Sequence, residues 1–175
     1  MPERAAANIL ICRDECTLTP MTGLPRLPRV MGMPTAGQRE VLEAQLRVGG
    51  WPDAGLQAEE ANRAPLVSRE RVQAFAPDEY DIVLYPPPHS TVADELAENA
   101  EFWNRHGALH EIDPAKALLL GDFGHGSDTV FVADFRAKPP QVLRLQWTEQ
   151  GNRWIQVAPT IEGLLSLLQL DSSGV

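Results

Sequence analysis

The sequence has few of the features that would tie it to a membrane, a secretory route or a familiar catalytic class. No stretch approaches the roughly 20 apolar residues that a membrane-spanning helix needs; the densest apolar clusters, Ala117–Leu120 and Leu164–Leu168, are far shorter. A membrane is therefore not an expected partner. Residues 1–7, MPERAAA, do not show a basic stretch running into a long apolar one, so no export signal is expected and the chain reads as cytoplasmic. Cys12 and Cys16 are the only cysteines. In a reducing cytosol they are thiols. A disulfide between residues four apart closes too small a loop to stabilise much, and no second close pair completes a zinc site.

Catalytic signatures are equally sparse. There is no Gly-x-Ser-x-Gly elbow and no His-Glu-x-x-His. The glycine-rich stretch Gly121–Asp128 has no Lys-Ser/Thr after its glycines and leads into a strand pattern, whereas a phosphate loop opens a helix. Its glycines fit a tight hairpin that needs positive φ. The four histidines are His89, His106, His110 and His125. His106 and His110 are four apart, but Gly107 between them argues against one helical turn, so surface histidines are the expectation. No catalytic, metal-ligating or cofactor-binding residue is assigned. A small hydrolase using Asp122, Asp128 and His125 is the competing reading from another class, although no motif there assembles nucleophile, base and oxyanion site.

What is present is enough apolar material to fold. Hydrophobic residues make up 43% of 175, which fits one domain spanning residues 1–175 with a core of its own. Proline is frequent, with 15 in the chain, so short elements and many loops are expected. Residues 1–35 read as a proline-rich extended segment, with Ile9–Cys12 as a short strand. Thr35 and Gln38 cap a helix ended by Gly49 and Gly50. Residues 51–64 are a polar loop or short helix, Pro65–Ser68 a short strand and Arg69–Phe75 a helical turn. Tyr80–Tyr85 reads as a strand, and 92–106 as one helix presenting Leu96, Phe102 and Trp103. Strands follow at Ala117–Leu120, Thr129–Phe135, Gln141–Trp147 and Trp154–Ala158, and Thr160 caps a closing helix. The fold class is α+β: a mostly antiparallel sheet, a C-terminal β-meander, with helices packed against it. Trp103, Trp147 and Trp154 are expected in or near the core, and Trp51 is expected to be buried.

The net charge of −9 is unevenly placed. Residues 1–71 carry nine acids and nine bases. Residues 72–134 carry twelve acids against Arg105 and Lys116, and residues 135–175 carry three acids and four bases. A field concentrated in the middle of the chain repels nucleic acid and attracts a basic partner. Acidic side chains also serve ordinary solubility.

From residue 117 onward four features occur in a telling order. Leu118–Leu120 enters a glycine- and aspartate-rich turn. Thr129–Phe135 follows, then Val142–Trp147 ending in a tryptophan, then Trp154–Leu168 running through Ala158 and Thr160 into a helix of leucines. This pattern resembles the SUKH superfamily, which includes a yeast cell-wall-synthesis regulator and many bacterial immunity proteins. The match covers about a third of the chain, best over 117–170; the helix before Gly49-Gly50 resembles an early family helix more weakly. Gly126-Ser127-Asp128 stands where the family usually runs Gly-Asp directly, and 77–110 does not align. The resemblance implies a non-catalytic protein-binding role, as an immunity protein neutralising a cognate toxin or as a regulatory scaffold of the same fold. Toxins of that kind often act on nucleic acids and carry a basic surface that an acidic inhibitor can match. The expected partner is thus a protein, a basic nuclease-type toxin, and the residues expected to face it are Asp94, Glu95, Glu98, Glu101, Asp122 and Asp128. Reversing Glu95, Glu98 and Glu101 to Lys should slow association with such a partner, most at low salt; an unchanged association rate would remove this segment from the interface.

Overall fold

Residues 117–122 place apolar side chains on both sides of one strand, and that double demand sets the architecture. The computed structural model describes residues 34–53, 67–124 and 129–170. The chain divides into two units, 1–31 and 32–175, and every described residue belongs to the second. Helix α1 (Ala36–Val48) and helix α2 (Arg69–Phe75) precede strand β1 (Val83–Leu84). Helices α3 (Val92–Glu98) and α4 (Ala100–His106) come next, then two 3-10 turns, Leu109–Glu111 and Pro114–Lys116. Strands β2 (Ala117–Asp122), β3 (Val130–Asp134), β4 (Gln141–Gln146) and β5 (Arg153–Ala158) lead into helix α5 (Ile161–Leu168). The five strands form one antiparallel sheet in sequence order. The α+β class, the meander and the closing helix are all present. No helix among the described residues is long and apolar enough to cross a membrane.

Alternation along each strand divides the sheet into two faces. Leu118, Leu120, Phe131, Ala133, Val142 and Ala158 point to one side, where Leu42 and Leu46 of α1, Val72 and Phe75 of α2, and Ile161, Leu164 and Leu168 of α5 cover them. Ala117, Leu119, Val132, Leu143, Leu145 and Trp154 point to the other, where Val92 of α3 and Trp103 of α4 close over them with Ile112. Both faces are apolar and covered across β2, β3 and β4, with β5 partly exposed at the edge, so the fold is three layers with the sheet between helices. Phe75 stacks on Phe123 at 5.7 Å and meets Phe131 edge-on at 5.4 Å, aromatic geometry that adds to simple burial.

The local signals act as their chemistry requires. Thr35 and Gln38 form a reciprocal capping box, the Thr35 N–H donating to Gln38 Oε1 at 2.8 Å and the Gln38 N–H to Thr35 Oγ1 at 3.3 Å. The α5 cap is Thr160, whose Oγ1 accepts from the Gly163 N–H at 3.1 Å. Trp51 is buried, its Nε1–H donating to the Tyr85 carbonyl at 2.8 Å. The segment expected as a strand over Tyr80–Tyr85 pairs only at Val83–Leu84. It meets β2 just past a register shift between Leu119 and Gly121. Earlier on that edge, the Leu119 N–H donates instead to the Ser90 carbonyl at 2.9 Å. Gly121 is required here, because a Cβ would collide with the Val83 carbonyl and the Phe131 ring. Val67–Ser68 is not a strand, and the expectations for Ile9–Cys12 and for most of 51–66 lie outside the described residues.

One charge sits where a hydrophobe would be expected. Arg144, between Leu143 and Leu145 on β4, is 1% exposed. Its Nη2 bonds Asp78, its Nη1 lies 4.0 Å from Glu79, and its guanidinium faces the Phe123 ring at 5.8 Å. Nε and Nη1 have no hydrogen-bond partner, so this side chain is incompletely satisfied. Burial alone would raise the pKa of Asp78, but the Arg144 bond and charge outweigh it and hold that carboxyl below its ordinary value. A buried ion held this loosely adds little net stability, whereas removing one partner strands the other. Asp78→Ala should therefore destabilise the fold by about 3 kcal/mol. Arg144→Met, which keeps the volume and removes the ion, should stay within about 1 kcal/mol of the parent. Urea unfolding of both variants checks the order; a greater loss for Arg144→Met would reverse the argument.

Candidate functional site

The acidic residues expected to face a partner separate into two groups. Asp94 sits three residues into α3 and accepts from the Thr91 N–H at 2.8 Å and the Thr91 hydroxyl at 2.7 Å. The Thr91 backbone bond, reinforced by the hydroxyl, keeps its pKa below the usual carboxylate value. Glu95 is half-buried and accepts from the Ser90 hydroxyl at 2.9 Å. Asp122 accepts from the Tyr85 hydroxyl at 2.7 Å and from the Gly124 N–H at 2.8 Å. Burial first, then the Asp122 bond and charge, pushes Tyr85 well above its ordinary pKa and keeps it a neutral donor. These three carboxylates serve the fold. Glu98 and Glu101 are different: both are exposed, and neither makes an ion pair or side-chain hydrogen bond among the described residues. Asp128, with His125, lies outside the described residues.

Glu98 and Glu101 flank a break that the sequence reading misses. The stretch 92–106 forms two seven-residue helices, because Asn99, at φ −133° and ψ 61°, leaves the helical region. Its side chain caps α4, accepting from the Phe102 N–H at 3.4 Å. Asn followed by an acidic residue in the next turn is a capping signal, overlooked because the apolar spacing runs on through it.

Part of the acidity of residues 72–134 is neutralised within the fold, at Asp78 and Asp134 by bases outside the segment and at Asp113 by Lys116 within it. Asp78 pairs with Arg144 and Asp134 with Arg136, while Lys116 pairs with Asp113 at 3.4 Å. Asp134 is fully buried at the end of β3, bonded by Arg136 Nε at 2.9 Å and Gln141 Nε2 at 3.2 Å. The charge left for a partner is thus narrower than the count suggests, and Glu98 and Glu101 at the α3–α4 junction belong to it.

Beyond Glu101, α4 runs to a cleft of about 910 Å³ between its C-terminal end and the β4–β5 turn, lined by Arg105, His106, His110, Glu111, Glu149 and Arg153 among others. The two walls are tied together. Asn152 Nδ2 donates to the His106 carbonyl at 2.8 Å, Trp154 Nε1 to the Gly107 carbonyl at 2.8 Å, and the Trp154 N–H to Glu111 Oε2 at 2.6 Å. Trp147 stands at the rim. It was expected in the core with Trp103 and Trp154, which are buried, but it is 45% exposed. It continues the face of Leu143 and Leu145 past the last β4–β5 pair, Gln146↔Arg153, where the covering layer ends. There it stacks on His106, with ring centroids 4.9 Å apart and planes 30° apart. His106 is in turn 5.6 Å from Phe102.

Among the described residues, no group of three His, Cys, Asp or Glu side chains could hold a metal ion. His110 is exposed, but His89 corrects the expectation of surface histidines, being 3% exposed. It lies edge-on to Trp51 at 6.4 Å, with Nδ1 3.7 Å from Glu43 Oε1, and neither ring nitrogen has a hydrogen-bond partner. No family model, no curated protein and no solved structure matches the chain.

The His89 pocket makes stability depend on pH. Burial lowers its pKa below the ordinary value of about 6.5, opposed in part by the Glu43 carboxylate. The folded state therefore prefers the neutral ring. That stability is complete above the unfolded pKa and is lost as pH falls towards the lower folded value. Between pH 7 and pH 5 the melting temperature should fall, and His89→Gln should flatten the decline. An equal slope in the variant would assign the loss to other groups.

Proposed function

We propose that this chain is a non-catalytic protein-binding domain. In this reading its partner surface is the outward side of the α3–α4 junction together with the aromatic rim at Trp147. The observation that carries it is the exposed Trp147 stacked on His106, at the end of the helix whose second residue is the unpaired Glu101. Tryptophan is, with tyrosine and arginine, enriched among the side chains that dominate binding energy. Free carboxylates beside such an anchor suit a basic partner, steering its approach while the aromatic ring holds it. Along α4, Glu101 and His106 are about 7.5 Å apart in rise, within the footprint of a single interface.

The biological role proposed for that surface is immunity: binding a cognate toxin, of basic nuclease type, in the cytoplasm and blocking its action. The motif order over 117–170 supports it through the SUKH resemblance. The separation of acids into structural and free ones narrows the contact set to Glu98 and Glu101 rather than the whole acidic segment.

The reading expects a toxin-like reading frame beside the gene; co-expression with that frame, followed by a growth assay and purification of the complex, tests the role. Protection and a salt-sensitive complex are expected. Trp147→Ala should weaken that complex by about 2 kcal/mol, chiefly through faster dissociation. Glu98→Lys with Glu101→Lys should mainly slow association, while Asp94→Asn should lower stability and leave association nearly unchanged. No protection and no complex would overturn the immunity role; full affinity in Trp147→Ala would overturn the surface.

A further inference from the structure

Among the described residues, the outer side of α1 is apolar and uncovered. Val48 is 88% and Val41 60% exposed, among the most exposed large hydrophobic side chains described. Neither is needed for the core, which α1 serves through Leu42 and Leu46. Gly37, Val41, Ala44 and Val48, all exposed, recur at spacings of four, three and four, which places them in one seam along the helix. The seam has two different edges. On one, Glu40 and Arg47 immediately precede Val41 and Val48; both are exposed, and neither meets an opposite charge among the described residues. On the other are the uncharged Gln38 and Gln45. Beside that second edge opens an apolar recess of about 500 Å³, walled by Phe135, Pro139, Pro140 and Ile161.

We propose that α1 is a self-association surface through which two copies of this chain pair antiparallel about a two-fold axis. Such a pairing sets Val41 against Ala44 of the second copy and Gly37 against its Val48. In an antiparallel pair the residues preceding the seam on each helix face one another. Glu40 then lies opposite Arg47 of the second copy, and the symmetry repeats the contact. A parallel pair would set Glu40 against Gln45 and leave Arg47 beyond the end of the second helix, gaining neither contact, so the charges select the antiparallel form. Gly37 leaves room for Val48 of the second copy, which reaches the recess beside Phe135 and Pro139. The surface lies on the sheet face opposite α3 and α4, so a dimer leaves the proposed toxin-facing side open.

A helix of this length spans about 20 Å and buries less than the roughly 800 Å² per partner typical of stable complexes. The dimer is accordingly weak, with a dissociation constant on the order of tens of micromolar. Sedimentation equilibrium of the full chain, at low salt and up to about 500 µM, reads it directly. A reversible monomer–dimer equilibrium is expected, and Ala44→Glu should abolish it. Glu40→Arg alone, or Arg47→Glu alone, should weaken it about tenfold by setting like charges together twice. The two reversals in one chain should restore it. Because all three positions are exposed, the melting temperatures of the variants should match the parent, which separates lost pairing from lost folding. A chain that stays monomeric throughout, a dimer that survives Ala44→Glu, or a double reversal without rescue each overturns the proposal.

Discussion

The fold depends on a sheet whose two faces are both apolar. Leu118 and Leu120 cannot be buried on one side without Leu119 being presented on the other, because successive side chains alternate. A single helical layer would leave half of that surface in water, at a free-energy cost of about 25 cal/mol for each exposed Å². The chain answers with α1, α2 and α5 on one face and α3 and α4 on the other. Everything proposed about recognition follows from that division. It sends the acidic helices and α1 to opposite sides, where each can present its own outer surface.

Polar chemistry inside this frame is unusually costly, and the molecule handles it in three ways. Asp134 is fully buried and well bonded, with an arginine and a glutamine on its carboxylate. Arg144 is fully buried and only partly bonded. His89 is buried with no bond at its ring nitrogens and stays neutral. In each case a charge that looks available in the sequence has been turned inward. The formal charge of a segment is therefore a poor measure of what a partner would meet.

Local chemistry was well legible in the sequence. The caps at Thr35 and Thr160, the helix Arg69–Phe75 and the four meander strands follow from side-chain pattern and turn residues. The two seven-residue helices were legible as helix but not as two, since the break is a matter of one Asn backbone. Features fixed by distant partners were not legible. The stretch Tyr80–Tyr85 has strand composition but pairs only where β2 offers it an edge. His89 is buried by Trp51, some forty residues earlier. Trp147 is exposed because the sheet and its covering helix end together beside it. Of the candidate site, the sequence located the acidic helices but could not tell the carboxylates that cap and brace from those left free.

The placement of Trp147 also gives the molecule an optical asymmetry. Trp51, Trp103 and Trp154 are enclosed and donate their indole N–H to fixed carbonyls or lie in the packed core, so their emission reports an environment shielded from solvent. Trp147 alone among the four combines solvent contact with a stacked imidazole. Red-edge excitation therefore singles out the cleft rim in the unmodified protein. The tryptophan proposed as the anchor is also the one whose light changes when something covers it.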